Sequence, residues 1–202
     1  MASAHPSTAG EDPRFTRSRQ AITDALAALL GQMGTYPSVA AVTQAAGVHR
    51  ATFYNHFQSV EEAAVALIRE DFRTLGTPEP GDRQQPGADP AAMALETLNT
   101  MLETLRQRRN VFLVASAWRS PSGLMGISDL LVDHVRELRR GLGGDDAGAE
   151  TDDVEDVYAA CGMNGVLSAA VSGSLGDRPE EITSRLHAAL PAWMRQQSGP
   201  TR

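Results

Sequence analysis

The sequence has few of the residues that build disulfides, metal clusters and membrane spans. Cys161 is the only cysteine among 202 residues, which excludes an intrachain disulfide and a cysteine-based zinc cluster. The five histidines have no metal-ligand spacing, so neither a metal nor another cofactor is predicted. No stretch approaches the roughly 18 consecutive apolar residues of a membrane span, and residues 1–13 lack the features of a signal peptide. We therefore predict a cytoplasmic protein with no membrane contact.

Lysine is absent, so all 18 fixed positive side chains are arginines. The net charge of −7 by itself disfavours binding to nucleic acid. The distribution is uneven, however, because residues 14–60 carry four arginines and one acid, Asp24, whereas the residues from 61 onward carry fourteen arginines and 22 acids. A mildly basic segment in an acidic chain indicates where nucleic acid would bind.

Apolar side chains recur at helical spacing along most of the chain, and no segment alternates as a strand does. The pattern predicts an all-α fold of about nine helices, the last of them at 178–196 with a kink at Pro191. Residues 1–13 read as a disordered arm. Two segments rich in proline or glycine, 76–90 and 141–150, are predicted to be flexible loops.

The segment Ser38 to Phe57 is typical of a helix-turn-helix. Gly47 ends the first short helix, because glycine adopts the left-handed backbone of a helix end without steric cost. Phe53 and Phe57 lie four residues apart on one face of the second helix, which is the helix that enters the DNA major groove in this motif.

The run AGVHRATFYNHF, residues 46–57, resembles the recognition segment of the TetR family of bacterial transcription regulators. The match is closest across residues 22–62, and the remainder matches in architecture only. The resemblance implies a three-helix DNA-binding domain at 14–60 and a helical ligand-binding and dimerisation domain at 61–202. It also implies a homodimer, a palindromic double-stranded DNA operator and a small-molecule effector that releases a repressor from it.

Five predicted DNA contacts match positions of the family's motif, and the exposed face of the second helix supports the leading ones. They are Arg50, Thr52, Tyr54, Asn55 and His56. Three further contacts are predicted outside that match: His49 at the start of the helix, Ser38 as a donor to a phosphate, and Arg17, which can contact a phosphate or reach into a minor groove as basic arms do. An outward Arg50 can pair with guanine, and an outward Tyr54 can contact a phosphate or a thymine methyl group. Alternatively, Arg50 and Arg17 are simply solvated, His56 bonds locally at its helix end, and Ser38 only caps its helix.

Two positions depart from the family's pattern. The family usually has serine or threonine where His49 stands, so the cap of the recognition helix is weaker or different. Val60 occupies the place of a lysine that commonly contacts a DNA phosphate. Either Val60 packs against its own domain, or the domain binds DNA less tightly than its relatives do.

Two further sets of residues are predicted for the body of the protein. The ligand pocket is assigned to side chains of the middle helices that are flexible or aromatic: Met93, Met101, Phe112, Trp118 and Met125. Such side chains at helical spacing are also typical of an ordinary core. The dimer interface is assigned to the last two predicted helices, at Leu167, Val171, Leu186, Leu190 and Trp193, which would form a four-helix bundle with a second copy.

Two rival functions remain open at this point. A helical enzyme is disfavoured, because the sequence offers no nucleophile–base pair, carboxylate pair or metal cluster. The alternative to a ligand-responsive regulator is a DNA-binding or protein-interaction module whose body is fully packed and binds no ligand. A cavity in the body, or stabilisation by a small molecule, would distinguish the two.

Overall fold

The computed structural model describes residues 13–32, 36–74, 89–141 and 149–195. These residues form ten α-helices, with only an isolated β-bridge between Arg119 and Met125. The helices are α1 (Pro13–Gln32), α2 (Val39–Ala46), α3 (Arg50–His56), α4 (Val60–Thr74), α5 (Pro90–Gln107), α6 (Arg109–Ala115), α7 (Ser128–Gly141), α8 (Ala149–Ser172), α9 (Pro179–Ala189) and α10 (Ala192–Arg195). The all-α prediction is confirmed.

The predicted arm and both predicted loops lie mostly outside the described residues. Within the overlap, Asp89 is a non-helical N-cap residue, whereas Pro13, Pro90, Gly141 and residues 149–150 are helical. Helices α1, α5 and α8 therefore begin, and α7 ends, inside segments that were assigned to the arm and the loops.

The last predicted helix is two helices, which raises the count from about nine to ten. Helix α9 ends at Ala189, and Leu190 has an extended backbone with φ −65° and ψ 155°. Pro191 causes this, because its ring disfavours a helical conformation of the preceding residue and it has no N–H to donate. The predicted kink is therefore a break, and α10 forms a separate short turn.

The head, α1 to α3, is held by a small apolar centre. Ser38 caps α2 by accepting a hydrogen bond from the Ala41 N–H at 3.2 Å, and Gly47 ends α2 with φ 65°, as the sequence predicts. Phe53 and Phe57 are both buried. They pack with apolar residues of α1 and α2, namely Ile22, Leu26, Leu30 and Val42.

Helix α4 packs on α1 of the head and on α6 of the body. Its inner face is apolar and buried at Val60, Ala63, Ala64, Leu67 and Ile68. Val60 is only 4% exposed and belongs to the core, so it packs against its own domain, the first of the two alternatives for this position.

Three consecutive residues at the α5–α6 junction, Arg108 to Asn110, reach three different helices. Asn110 Nδ2 donates to the Leu30 carbonyl of α1 at 2.8 Å. Arg109 Nε donates to the Val171 carbonyl of α8 at 3.1 Å. Each of these carbonyls belongs to the last turn of its helix, where no intrahelical N–H is available to it. This segment, the elbow, therefore ties the head and α8 to one point of the body.

The third elbow contact is an ion pair between Arg108 and Asp71 of α4, with Nε and Oδ2 2.9 Å apart. The two atoms are close but are not aligned as a hydrogen bond, since Asp71 Oδ2 has no hydrogen-bond partner among the described residues. Burial raises the pKa of Asp71, and the positive charge of Arg108 offsets part of that rise. The pair therefore holds α4 by charge rather than by bond geometry.

We expect Asn110→Ala to lower the free energy of unfolding by about 0.5–1.5 kcal/mol, because the partly buried Leu30 carbonyl loses its donor. Urea denaturation measures the change. Gln107→Ala is the control, since within the described part of the chain that amide donates only to the exposed Glu103 of the same helix, at 3.0 Å. Its effect should stay within about 0.5 kcal/mol, and equal losses in the two variants would show that Asn110 is not a tie between head and body.

Candidate nucleic-acid interface

Helix α3 has one face buried in the head and the opposite face exposed. The buried face is fixed by Phe53, and by Phe57 directly after the helix end. Arg50, Tyr54 and Asn55 lie on the exposed side, with Tyr54 48% exposed. The two phenylalanines therefore determine which side chains α3 presents to solvent.

Arg50 and Tyr54 form a pair on this exposed face. Arg50 Nη2 donates to the Tyr54 hydroxyl oxygen at 3.2 Å, and the guanidinium carbon lies 5.6 Å from the ring centroid. One guanidinium N–H is used in this bond, which leaves most of the five donors of the group available. The pair presents an aromatic ring and a fixed positive charge next to each other.

The remaining predicted contacts on α3 and at its start also point outward to different degrees. Asn55 and His49 are exposed, and Thr52 is half-buried. His49 is the N-cap residue with φ −75° and ψ 150°, but its side chain makes no capping hydrogen bond. The imidazole is therefore not committed to the helix, in agreement with the weaker or different cap expected at this position.

Ser38 and Arg17 lie on other elements of the head. Ser38 is exposed, and its hydroxyl caps α2 as described above. Arg17 is exposed on α1, and its Nε donates to the Pro13 carbonyl at 2.9 Å. This local bond uses one of the five N–H groups of the guanidinium.

His56 is turned toward α1 rather than toward the exposed face of α3. Its ring centroid lies 4.1 Å from that of Phe15, and its Nε2 lies 2.7 Å from the Ser18 hydroxyl oxygen. The Ser18 hydroxyl already donates its single proton to the Phe15 carbonyl at 2.9 Å, so Nε2–H must be the donor to Ser18. The bond that the structure contains is therefore a contact with a different helix, not the bond at its own helix end that was the alternative to a DNA contact, and the DNA contact of His56 stays a prediction.

The tautomer leaves Nδ1 of His56 as an acceptor, and this atom is buried without a hydrogen-bond partner among the described residues. Burial lowers the pKa of His56, and the positive charge of Arg19 lowers it further. A neutral ring therefore joins α3 to α1 at neutral pH, and protonation would place an unpartnered N–H in the contact.

Tyr36 is a surface residue of the head that is not among the predicted DNA contacts. It is 53% exposed and lies two residues before the α2 cap. Its hydroxyl bonds to Glu61, and burial followed by that acid raises its pKa, so the hydroxyl stays protonated. The signal was an aromatic residue two positions before a helix cap, which periodicity does not detect because it lies outside any helix.

The five residues predicted for a ligand pocket are not gathered around one of the clefts found in the described residues. Met101 and Phe112 are core residues, Met93 is half-buried, and Met125 is 46% exposed. Trp118 is the one that lines such a cleft, where the head meets the body. Binding of a ligand by any of the five stays a prediction.

Four of the five residues predicted for the dimer interface are buried within the chain itself. Leu167, Val171, Leu186 and Leu190 belong to the core. Trp193 is half-buried under Arg139, whose guanidinium carbon lies 4.1 Å from the ring centroid, and its Nε1 donates to Glu155 at 3.1 Å. A partner can therefore reach α8 and α9 only through their other faces.

Helix α8 has an outer face that the rest of the described chain leaves uncovered. Tyr158 is 75% exposed and Val154 is 73% exposed. Gly162 and Gly165 continue this exposed face toward the end of the helix. Large apolar side chains that are this exposed and lie next to each other commonly mark a surface that binds another molecule.

The described residues contain no group of three or more side chains able to hold a metal ion. In the same part of the chain, no helix has both the length and the apolar character needed to cross a membrane.

The chain matches no family model and no curated protein. Among solved structures, it is similar to the fatty acid degradation regulator FadR from Bacillus halodurans, with a TM-score of 0.52 and 16% identity over 90% of this chain and 96% of that one. It is also similar to a TetR-like transcriptional regulator from Rhodococcus sp. RHA1, with a TM-score of 0.49 and 17% identity over 87% and 94% of the two chains. The chain therefore shares the fold of this FadR regulator, and the all-helical architecture that the resemblance implies is confirmed.

We expect the stability of the protein to fall at mildly acidic pH because of His56. Its folded-state pKa lies below the ordinary value of 6.5, so the unfolded chain binds a proton more readily than the folded one. The stability that the neutral ring contributes is complete above the ordinary pKa and is lost as the pH falls through the folded-state pKa.

The variant His56→Gln tests this, because its amide can still donate to Ser18 but does not titrate. Unfolding free energies of both proteins are measured between about pH 7.5 and pH 5. The advantage of the wild-type protein over the variant should shrink toward acid pH, and an advantage independent of pH would contradict the linkage.

Proposed function

We propose that the chain is a sequence-specific DNA-binding transcriptional regulator, a repressor that a small-molecule ligand releases from a palindromic operator. The observation that carries the proposal is the outward pair Arg50 and Tyr54 on α3. Its position is fixed from behind by Phe53 and Phe57, and it stands on a fold shared with a known regulator.

The pair has the chemistry that major-groove recognition requires. Arg50 can form two hydrogen bonds with guanine O6 and N7, while Tyr54 can contact a phosphate oxygen or a thymine methyl group. In the absence of DNA the two side chains bond to each other, and this keeps both extended along the same face. Asn55 and Thr52 flank them as further contacts.

Phosphate contacts would come from the head residues around α3. Ser38 stands at the start of α2, where free backbone N–H groups and the positive end of the helix dipole favour an anion. His49, with no capping bond, and Arg17 on α1 are the other candidates. Binding that depends on such contacts weakens steeply as salt is added.

A palindromic operator calls for a two-fold dimer, and the outer face of α8 supports one. Val154 and Tyr158 supply apolar area, and the exposed Gly162 and Gly165 let a second helix approach closely. The face is continuous along one side of α8, as a self-complementary interface requires. The two copies of α3 would then lie about 34–36 Å apart, in successive major grooves.

In this proposal, residues 14–60 bind DNA, and residues 61–202 bind the ligand and form the dimer, as the predicted domain boundaries have it. A ligand can act only by binding one arrangement of head and body more tightly than the other. The elbow and α4 are the contacts through which such a difference would reach the head.

A DNA-binding or interaction module without a ligand is the second candidate. It is favoured by the burial of Met101 and Phe112 in a continuous apolar core. Thermal stabilisation by a small molecule separates the two, because a ligand that binds the native state alone raises the melting temperature.

We expect Arg50→Ala and Tyr54→Ala to weaken binding to the cognate operator, Arg50→Ala by about 1–3 kcal/mol, through loss of the contacts with bases. The operator is first selected from a random DNA pool with the wild-type protein, and affinities are then measured by fluorescence anisotropy. Arg185→Ala, a loss of an exposed arginine on α9, is the control. Wild-type affinity in both α3 variants would show that another element reads the DNA.

We expect Tyr158→Glu to produce monomers, because the change buries a charge in the proposed two-fold interface without a partner. Size-exclusion chromatography with light scattering measures the mass. Leu113→Glu is the matched control, since Leu113 is an exposed apolar residue on α6 and not on α8. A Tyr158→Glu protein that still runs as a dimer would place the interface on a different surface.

A further inference from the structure

A cleft of about 320 Å³ lies between the head and the body. Arg19 of α1 and Phe57 line it from the head side, and α4 contributes a single helical face that includes Val65 and Arg69. Trp118 closes it from the body side. This volume is at the lower end of the roughly 300–1,000 Å³ that small-molecule sites occupy.

The two arginines of this head–body cleft have no acidic partner among the described residues. No Asp or Glu carboxylate of the described residues lies within 4.0 Å of the guanidinium group of Arg19 or Arg69. Arg19 lies instead over the ring of Phe57, with 4.8 Å between guanidinium carbon and centroid. Both guanidinium groups therefore retain donors for an anion.

Each of the two acids that line the same cleft accepts a hydrogen bond at one of its carboxylate oxygens. Glu62 Oε2 accepts the backbone N–H of Gln58 at 2.5 Å, and Asp129 Oδ1 accepts the Ser122 hydroxyl at 2.7 Å. These bonds anchor the carboxylates at the start of α4 and near the start of α7. The cleft is thus balanced in formal charge, but its uncommitted hydrogen-bonding groups include two cations.

The wall on the body side is rigid and aromatic. Trp118 is half-buried against the core, and its carbonyl accepts the Gly126 N–H at 2.8 Å. A second bond, from the Ser120 N–H to the Leu124 carbonyl at 2.9 Å, closes the turn. Gly126 has φ 59°, and a Cβ there would lie 3.2 Å from the Ser116 Cα, so this close turn requires glycine.

We propose that the head–body cleft binds a small aromatic carboxylate. Arg69 and Arg19 pair with its carboxylate, and Trp118, Phe57 and Val65 contact its ring. A planar guanidinium fits a carboxylate in two parallel hydrogen bonds, and an indole face gives the ring a flat apolar contact. The site shares only Trp118 with the pocket predicted for the middle helices, and it does not rest on the proposed DNA binding.

The binding test uses the full chain and 4-nitrobenzoate as the probe, with 4-nitrobenzamide as its neutral analogue. Trp193→Phe makes Trp118 the only tryptophan, so quenching of tryptophan emission reports on this cleft. Calorimetric titration of the wild-type protein gives the same affinity without a substitution. Saturable binding of the carboxylate, with at least about tenfold weaker binding of the amide, is expected from the loss of a charged hydrogen-bond partner.

Two arginine variants of α4 locate the carboxylate. Arg69→Gln should weaken 4-nitrobenzoate binding by about tenfold or more. Arg73→Gln removes an equal charge from the same helix, at an exposed residue paired with Glu70, and should leave binding unchanged. Absence of saturable binding, equal binding of acid and amide, or equal effects of the two variants would each overturn the proposal. None of these measurements involves DNA, so their failure and that of the proposed function are distinguishable.

Discussion

The packing of α4 between head and body is the constraint on which the rest of the structure depends. One face of this helix, including Val60, Ala64 and Ile68, lies in the common core, where α4 meets α1 on one side and α6 on the other. Close-packed interiors do not deform continuously. A shift of the body relative to the head must therefore move α4 as a unit, and with it the frame that holds α3.

Polar contacts fix how α4 is positioned between the head and the body, which apolar packing alone does not do. The elbow bonds to the final turn of α1 through Asn110 and to the final turn of α8 through Arg109, and Arg108 holds Asp71 of α4. Each contact joins the elbow to a different helix, so α1, α4 and α8 share one reference point. In the proposed regulator, α8 faces the partner copy and α4 moves with the frame that holds α3. These two helices are linked through the three adjacent residues of the elbow.

The sequence was sufficient for the features that depend on local order. Spacing of Phe53 and Phe57, with Gly47 before them, predicts both the motif and its exposed face. It was insufficient where distant segments meet: the partner of His56 is Ser18, which lies 38 residues away. On α8, small and apolar side chains surround the helix, so periodicity does not distinguish the core positions Leu167 and Val171 from the exposed Tyr158.

The start of α4 determines how the proposed regulator would hold DNA. Val60 is buried where the TetR family that the sequence resembles commonly has a lysine, and the first turn continues with Glu61 and Glu62. Two carboxylates at that position repel a phosphate instead of attracting it. In the proposed complex, phosphate contacts then come from Arg17 of α1, Ser38 at the start of α2 and His49 at the start of α3. Because the number of phosphate contacts, which do not depend on the DNA sequence, is then smaller, Arg50 and Tyr54 contribute a larger share of the affinity. Such a balance favours discrimination between DNA sites over tight non-specific binding.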